Sequence, residues 1–361
     1  MKALISRLSS KQLTNGNTLV YLLWATGFLG ALVTVVGRPS NPIANRDFVS
    51  FWVAGKLAMS GHAAQAYDVT SLRAAASTLA GTTYPIAYPY PPQFFFVAVP
   101  LSWLPLILSF VAWLLITGAA FCIAARPYVP RNFPVILALI TPAAICNLAF
   151  GQTGFLYGAL WLFAFEGSAT AAALLTVKPH LGCLVAAEVV RRRQLILTSV
   201  IALVLIGLST LVFGIDSWRA CLTGLKTNHL HWVRSDSYGG WFYQMTTPYI
   251  GYGLVGWLIF AVAALAILIR RFDAFTTAIA AFLVAPYGFH YDMTVICLGF
   301  GVTLFRYWRS MPPLHTATCA FGFLSPLIVA AGTWLVPPIL LAGLFVMARI
   351  PRHETEATSE Q

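Results

Sequence analysis

Long apolar runs separated by short polar turns dominate the pattern of positions along the chain. A transmembrane helix needs about 20 apolar residues, or fewer where it is buried in protein or where the bilayer is thin. The pattern therefore predicts an all-α integral membrane protein, a polytopic bundle of about 10–12 transmembrane helices. The candidate runs are 17–36, 93–104, 106–125, 132–149, 152–166, 168–190, 194–213, 249–269, 273–289, 291–305, 315–333 and 335–350.

Some of these runs are short or contain proline, which predicts kinked and partial spans. Among the prolines inside runs are Pro100, Pro134, Pro142 and Pro179. The number of spans between 93 and 166 stays open, because the first two runs of that stretch can also form one long kinked element.

Basic residues at the ends of the runs predict the orientation. If the N-terminus is cytoplasmic and every run crosses, most basic residues fall in short inside turns such as 191–193, as the positive-inside rule requires. Arg126 and Arg131 are exceptions, since this arrangement places them outside. The two longest polar segments, 38–92 and 214–248, then both become outer loops.

The domain organisation follows from the same arrangement. We predict one polytopic membrane domain over 1–350 and a short polar cytoplasmic tail over 351–361. The first run is predicted to be an uncleaved helix, because it continues to Val36 and no small-residue cleavage site follows it.

Composition agrees with a membrane protein. Apolar residues make up 59% of the 361 residues and charged residues only 9%, against roughly 25% charged in soluble domains, and the mean hydropathy is +0.78. These values exclude a soluble enzyme, a disordered tail and a disulfide scaffold. The net charge of +11 lies mostly at the ends of apolar runs, so it predicts topology and no nucleic-acid partner.

The first outer loop contains an acid followed by aromatic residues at helical spacing. Phe48, Phe51, Trp52 and Gly55 share one face of a helix, which is typical of a helix lying in the membrane interface. Asp47 then stands at the N-terminus of that helix. It is either an N-cap that accepts backbone N–H bonds or a general base at the lipid–water boundary.

The end of the same loop contains three tyrosines and a Pro-Pro pair. Tyr88 and Tyr90 precede Pro91-Pro92, which predicts an extended entry into the next span. The prolines are explained by this rigid junction alone, whereas the tyrosines are also suited to stacking on a sugar ring.

Two further places combine charge with an apolar setting. Lys178, beside Pro179 and His180, lies inside an apolar run, where a buried charge is costly and marks a candidate functional site. We expect an anion as its partner; the alternatives are snorkelling or pairing with a carbonyl at the proline kink. His290 and Asp292 lie together in a short outer turn, where the histidine is either structural or functional.

The second outer loop mixes aromatic residues with basic and amide residues, among them His231 and Arg234. This mixture suits a carbohydrate and phosphate surface, or an interfacial aromatic belt. The His229-x-His231 pair has no third metal ligand at a fixed spacing. The chain has no P-loop, DxD, GxSxG or HExxH motif, which disfavours a nucleotide-dependent enzyme. We expect no cofactor; the chemistry permits a divalent metal, but no ligand pattern indicates one.

Five segments occur in an order that resembles a known family. They are Asp47-Phe48, Tyr90-Pro91-Pro92, Gly151-Gln152, Lys178-Pro179-His180 and His290-Tyr291-Asp292. Over roughly residues 20–310 the chain resembles the polytopic GT-C glycosyltransferases of family 87, which include polyprenol-phosphate-mannose-dependent mannosyltransferases. The resemblance implies an inverting transferase that uses a polyprenyl-phosphate sugar. It places the catalytic base at Asp47 and a functional histidine at His290.

The sequence thus predicts a membrane glycosyltransferase that moves a hexose, with mannose as the first candidate, from a polyprenyl-phosphate donor to a lipid or glycan acceptor. We place it on the outer face of a bacterial inner membrane. The catalytic candidates are Asp47 and His290; the substrate-binding candidates are Arg46, Tyr88, Tyr90, Gln152, Lys178, His180, His231, Arg234 and Asp292. The alternatives are a transporter or flippase, and an O-antigen ligase or polymerase. A transporter requires polar residues along both halves of a pathway, whereas the titratable residues here gather on one face.

Overall fold

The structure is entirely helical in the part of the chain that it describes. This computed structural model describes residues 18–36, 46–84, 86–224, 253–285, 288–330 and 335–350. Every regular element in these ranges is an α-helix or a 3₁₀ turn, and they contain no strand. The prediction of an all-α fold is confirmed.

The helices are numbered in chain order. The first group is α1 (Thr18–Val36), α2 (Phe48–Met59), α3 (Val69–Ala80), α4 (Phe95–Trp103), α5 (Leu106–Ala125), α6 (Pro142–Phe150), α7 (Gly154–Phe165) and α8 (Ala169–Leu174). The second group is α9 (Pro179–Gly182), α10 (Val185–Arg191), α11 (Leu195–Phe213), α12 (Ile215–Gly224), α13 (Gly253–Leu268), α14 (Ala274–Val284), α15 (Thr294–Tyr307), α16 (Pro313–Ala330) and α17 (Val336–Arg349). The 3₁₀ turns are Ala63–Tyr67, Pro92–Phe94, Arg126–Tyr128, Val135–Ile140, Leu175–Val177 and His290–Met293.

Two helical stretches are long and apolar enough to cross a membrane, Leu106–Tyr128 and Leu195–Phe213. The second of these, α11, is apolar on nearly all sides and little covered by protein, with Ile196 and Leu211 each 82% exposed. A continuous apolar surface of this kind suits lipid rather than water. Length and composition thus support a membrane span for these two stretches, and the larger number of spans stays a prediction.

Two of the predicted spans are interrupted, and one interruption positions a charged side chain. The run 132–149 is divided at Pro142, which begins α6. The run 168–190 is divided into α8, α9 and α10, with Lys178 in a non-helical conformation (φ −130°, ψ 69°) before Pro179. A proline disfavours the helical conformation in the residue before it. Lys178 therefore lies at a helix break rather than within a continuous span.

The helix predicted at the start of the first outer loop exists as α2, but its surroundings differ from the prediction. Phe48 and Phe51 are fully buried, and α2 packs closely on α4. A Cβ atom added to Gly55 would lie 2.1 Å from the carbonyl oxygen of Ala98. The aromatic face thus has protein partners instead of the expected lipid, and the position of α2 in the membrane interface stays a prediction.

Buried apolar side chains form two clusters. The first joins α2, α4, the 3₁₀ turn Ala63–Tyr67 and the first half of α5. The second joins α1, the end of α5, the helices α6 to α10 and the helices from α13 onwards. The residues 151–154, where α6 ends and α7 begins, contact Phe48 and Trp113 of the first cluster and the backbone of Tyr291 in the turn before α15. The candidate site is built around this connection.

Candidate functional site

The connection Gly151-Gln152-Thr153-Gly154, here the GQTG loop, contacts a different neighbour through each of its residues. Gly151 ends α6 with a left-handed backbone, φ +67°, which favours glycine. A Cβ atom there would lie 2.7 Å from the Cβ of Phe48. The carbonyl of Gly151 accepts a hydrogen bond from the indole of Trp113 at 2.9 Å. These contacts hold the loop directly beneath the start of α2.

The second residue of the loop holds the candidate base. Gln152 donates a hydrogen bond from Nε2 to Oδ2 of Asp47 at 2.7 Å. Asp47 occupies the N-cap position of α2, but its side chain makes no capping hydrogen bond. Asp47 therefore stands at the N-cap position, but the interpretation that its carboxylate accepts backbone N–H bonds there is wrong. The half-buried carboxylate faces the GQTG loop, 105 positions along the chain.

The third residue of the loop binds a tyrosine. The hydroxyls of Thr153 and Tyr90 are hydrogen-bonded at 3.0 Å, and the Tyr90 ring stacks on Phe94 with centroids 4.6 Å apart. Tyr88 stacks in the same way on Phe95, at 5.1 Å. Both tyrosines are buried, with one ring face already occupied by a phenylalanine. Stacking on a sugar therefore finds no support here, and the structure gives these rings a packing role.

The fourth residue of the loop adjoins the turn that carries His290 and Asp292. A Cβ atom on Gly154 would lie 2.0 Å from the carbonyl oxygen of Tyr291. Asn147 joins the two segments, because its Nδ2 donates to that same carbonyl and its Oδ1 accepts from the backbone N–H of Gly154, both at 2.7 Å. Only a glycine permits this close approach.

Lys178 and Asp292 form a buried ion pair. The Nζ and Oδ1 atoms are 2.6 Å apart, and the two side chains are 9% and 1% exposed. The ammonium also lies over the rings of Tyr90 and Tyr291, 5.6 and 4.9 Å from their centroids. The anion expected beside Lys178 is thus a residue of the same chain. Neither snorkelling nor a carbonyl at the proline explains this lysine.

The charged side chains of Lys178, Asp292 and Asp47 all act on the phenol of Tyr90. Burial raises the pKa of Tyr90, the Lys178 ammonium lowers it, and the carboxylates of Asp292 and Asp47 raise it. All three charges therefore act on Tyr90, although they come from distant parts of the sequence.

Arg46, the residue before the candidate base in the sequence, supplies a second cation. Its Nη1 donates to the carbonyl of Ala149 at 2.6 Å, and its guanidinium lies 5.3 Å from the ring centroid of Phe110. Among the residues that the structure describes, this is its one hydrogen bond, and a guanidinium has five N–H donors. Arg46 is half-buried, so an anionic ligand can reach it.

The remaining predicted residues are His290, His180, His231 and Arg234. His290 is half-buried and contacts the ring of Tyr291, with centroids 5.5 Å apart; its neighbour Asp292 is the residue that meets Lys178. His180 is half-buried in α9. His231 and Arg234 lie outside the described residues. Within the described ranges, no three His, Cys, Asp or Glu side chains are arranged to hold a metal ion.

Two residues of the site, Asn147 and Thr153, were not predicted from the sequence. Asn147 is fully buried, and an amide within an apolar run was the signal that could have revealed it, since a buried polar side chain requires partners. Thr153 gave no comparable signal beyond its place between two glycines.

Comparison with known proteins identifies the class of this chain. Residues 88–288, more than half of the chain, match glycosyltransferase family 87. This stretch includes Tyr90, the GQTG loop and Lys178, and it ends two residues before His290. No curated protein and no solved structure matches the chain significantly.

The protein is therefore a glycosyltransferase. More closely, it belongs to glycosyltransferase family 87, as its sequence resemblance indicated. Members of this family are generally membrane proteins, and the two long apolar helices agree with that property. Asp47 precedes the matched stretch, so the family match itself does not extend to the candidate base.

Proposed function

We propose that the chain is an inverting membrane glycosyltransferase that moves a hexose, mannose as the first candidate, from a polyprenyl-phosphate donor to a lipid or glycan acceptor. The observation that carries this proposal is the Asp47 carboxylate, which is half-buried and held by Gln152 instead of by its own helix. A carboxylate held in this way is suited to accept a proton from an acceptor hydroxyl.

Inversion is favoured over retention because the site offers one carboxylate for the reaction. Retention by double displacement, the route of retaining glycosidases, needs a second carboxylate as nucleophile. The other acid of the site, Asp292, is 1% exposed and paired with Lys178. In the proposed single displacement the acceptor oxygen bonds to the anomeric carbon and its proton passes to Asp47. The bond from that carbon to the phosphate oxygen breaks, and polyprenyl phosphate leaves with the electron pair.

Arg46 is the proposed ligand of the leaving phosphate. It adjoins Asp47, and its planar guanidinium matches phosphate oxygens well. The charge of Lys178 is already balanced by Asp292, so Lys178 acts in this proposal by fixing the turn beneath the site. A lipid-linked donor also accounts for a transferase without a nucleotide-binding motif, since the membrane delivers the substrate.

We propose that the site faces the outer side of a bacterial inner membrane, with both outer loops on that side. A contact between the two loops supports this arrangement. The helix α12 packs on the 3₁₀ turn Ala63–Tyr67, and a Cβ atom on Gly224 would lie 3.2 Å from the carbonyl oxygen of Tyr67. Segments that pack together in this way belong to the same side of the bilayer.

Cysteine labelling tests the orientation. In a variant whose six cysteines are replaced, Thr227→Cys is expected to react with an impermeant maleimide added to the outside of intact cells. Gln194→Cys, in the turn between α10 and α11, is expected to react only after the membrane is permeabilised. The opposite labelling pattern would place the candidate site on the cytoplasmic side.

A transfer assay tests the function itself. Purified protein in proteoliposomes is supplied with radiolabelled polyprenyl-phosphate mannose or glucose and with a membrane lipid extract. Label is expected to appear in a new product with the wild type and with Asp68→Asn, whose carboxylate caps α3 by accepting from the Ser71 N–H. Asp47→Asn is expected to give at least about 100-fold less. Movement of unchanged donor across the bilayer, with no new product, would favour a flippase instead.

A further inference from the structure

The side chain that holds Asp47 has a second polar atom that no described residue satisfies. Gln152 is 7% exposed, and its Nε2 donates to the Asp47 carboxylate. An ionised carboxylate can only accept hydrogen bonds, so the amide nitrogen has to face it. This fixes the orientation of the amide. Its Oε1 is buried, and no donor among the described residues reaches it.

A buried carbonyl oxygen without a donor is uncommon in native proteins. Asn147, next to the same loop, shows the ordinary situation: its amide nitrogen donates to the carbonyls of Ala143 and Tyr291, and its oxygen accepts from the N–H of Gly154. Both polar atoms of the Asn147 amide therefore have hydrogen-bond partners within the fold. Gln152 differs, because half of its amide serves the candidate base and the other half has no function in the fold.

The missing partner has to be a hydrogen-bond donor that lies beside the reacting group. The Oε1 and Nε2 atoms share one rigid planar amide, so a donor bound to Oε1 lies close to whatever group approaches the Asp47 carboxylate. Asp47 is half-buried, so its exposed side is the direction from which this inference brings a ligand to the pair. A hydroxyl adjacent to the reacting hydroxyl of a sugar or polyol has this placement.

We propose that Gln152 binds a second hydroxyl of the acceptor, adjacent to the one that reacts, and that it discriminates between acceptors by this hydroxyl. This inference rests on the proposed function, with Asp47 as the base. Gln152 then has two roles at once. It positions the base through Nε2 and selects the acceptor through Oε1.

A site built to bind a substrate hydroxyl discriminates against the analogue that lacks it, because the buried polar atom is then left unpaired. The expected loss of affinity is about five- to 150-fold. The discrimination is specific to one hydroxyl. A purely positioning role for Gln152 would lower turnover for every acceptor equally and would leave this discrimination unchanged.

The test measures binding and discrimination together. The full chain in lipid nanodiscs, without glycoside detergent, is titrated with methyl mannoside, methyl glucoside and methyl galactoside and with their monodeoxy analogues, and affinity is taken from the rise in Tm with ligand concentration. For the wild type we expect one parent glycoside to bind more tightly than one of its monodeoxy forms by the factor given above. Gln152→Met is expected to bind these two ligands equally.

The matched control is Gln194→Met, which removes an amide that donates to the carbonyl of Gly167. It is expected to keep the wild-type discrimination. The inference is overturned if no glycoside raises the Tm, if every monodeoxy form binds as tightly as its parent, or if the discrimination persists in Gln152→Met.

Turnover with the same ligands separates this inference from the proposed function. If the binding discrimination is present but no glycoside receives label from polyprenyl-phosphate hexose, the proposed function fails and the hydroxyl contact of Gln152 stands. If parent and monodeoxy acceptors receive label at equal kcat/KM, the inference fails and the proposed function stands.

Discussion

Removing one partner of the Lys178–Asp292 pair is expected to destabilise the protein more than removing both. Lys178→Met leaves the carboxylate of Asp292 uncompensated at 1% exposure. Breaking a buried pair from one side typically costs about 3–5 kcal/mol. Replacing both partners by apolar residues is often neutral or stabilising, so the double variant Lys178→Met/Asp292→Leu is expected to approach the wild type.

The loss converts into a measurable change in Tm. An unfolding entropy of about 2.1 cal/mol/K per residue gives roughly 0.76 kcal/mol/K for 361 residues. A loss of about 3–5 kcal/mol then lowers the Tm by about 4–7 °C. The assay is the thermal unfolding of the nanodisc-embedded protein, followed by tryptophan fluorescence.

An exposed ion pair provides the control. Asp216 and Arg219 are paired at 2.9 Å, but their side chains are 76% and 73% exposed, and such pairs contribute little to stability. Arg219→Met is therefore expected to lower the Tm by no more than about 1 °C. The reasoning is refuted if Lys178→Met lowers the Tm no more than Arg219→Met does. It is also refuted if the Tm decrease of the double variant equals the sum of the decreases in Lys178→Met and in Asp292→Leu.

Three further outcomes are expected. Asp47→Asn lowers kcat by about 10²–10⁴-fold with little change in Tm, since the side chain makes no capping bond; a variant within tenfold of the wild type would exclude Asp47 as the base. Gly154→Ala lowers the Tm because its Cβ meets the Tyr291 carbonyl, whereas Gly207→Ala, with open space around it, keeps or raises it; equal Tm values would contradict the close approach. His290→Ala reduces transfer by less than Asp47→Asn, and a larger reduction would reverse the roles given to these residues.

Helix positions and the candidate base were predictable from the sequence because both depend on local patterns. Apolar runs gave most helices to within a few residues, and Asp47 stood out as an acid at the start of an aromatic helix. The environment of α2 was not predictable. Apolar and aromatic residues suit a protein interior and a membrane interface equally, so the pattern alone could not show that α4 covers this face.

The pairings within the site were not predictable, since they join residues far apart in sequence. Lys178 and Asp292 are separated by 114 positions, and Asp47 and Gln152 by 105. Each residue was a candidate on its own, but no local spacing relates one to the other. Their meeting depends on how the helices pack, and on a helix break that places Lys178 near the turn before α15.

The GQTG loop also has a consequence for how this enzyme can diverge. Its residues point in turn to Phe48, Asp47, Tyr90 and Tyr291, and α7 begins at its last residue. One inserted residue would rotate everything that follows by about 100° relative to α6 and would separate Gln152 or Thr153 from its neighbour. Surface loops tolerate insertions at little thermodynamic cost, but this one has a fixed length. New acceptor preferences in related chains are therefore expected to arise by substitution around a loop of constant length, and length variation is expected to concentrate in the long outer segments.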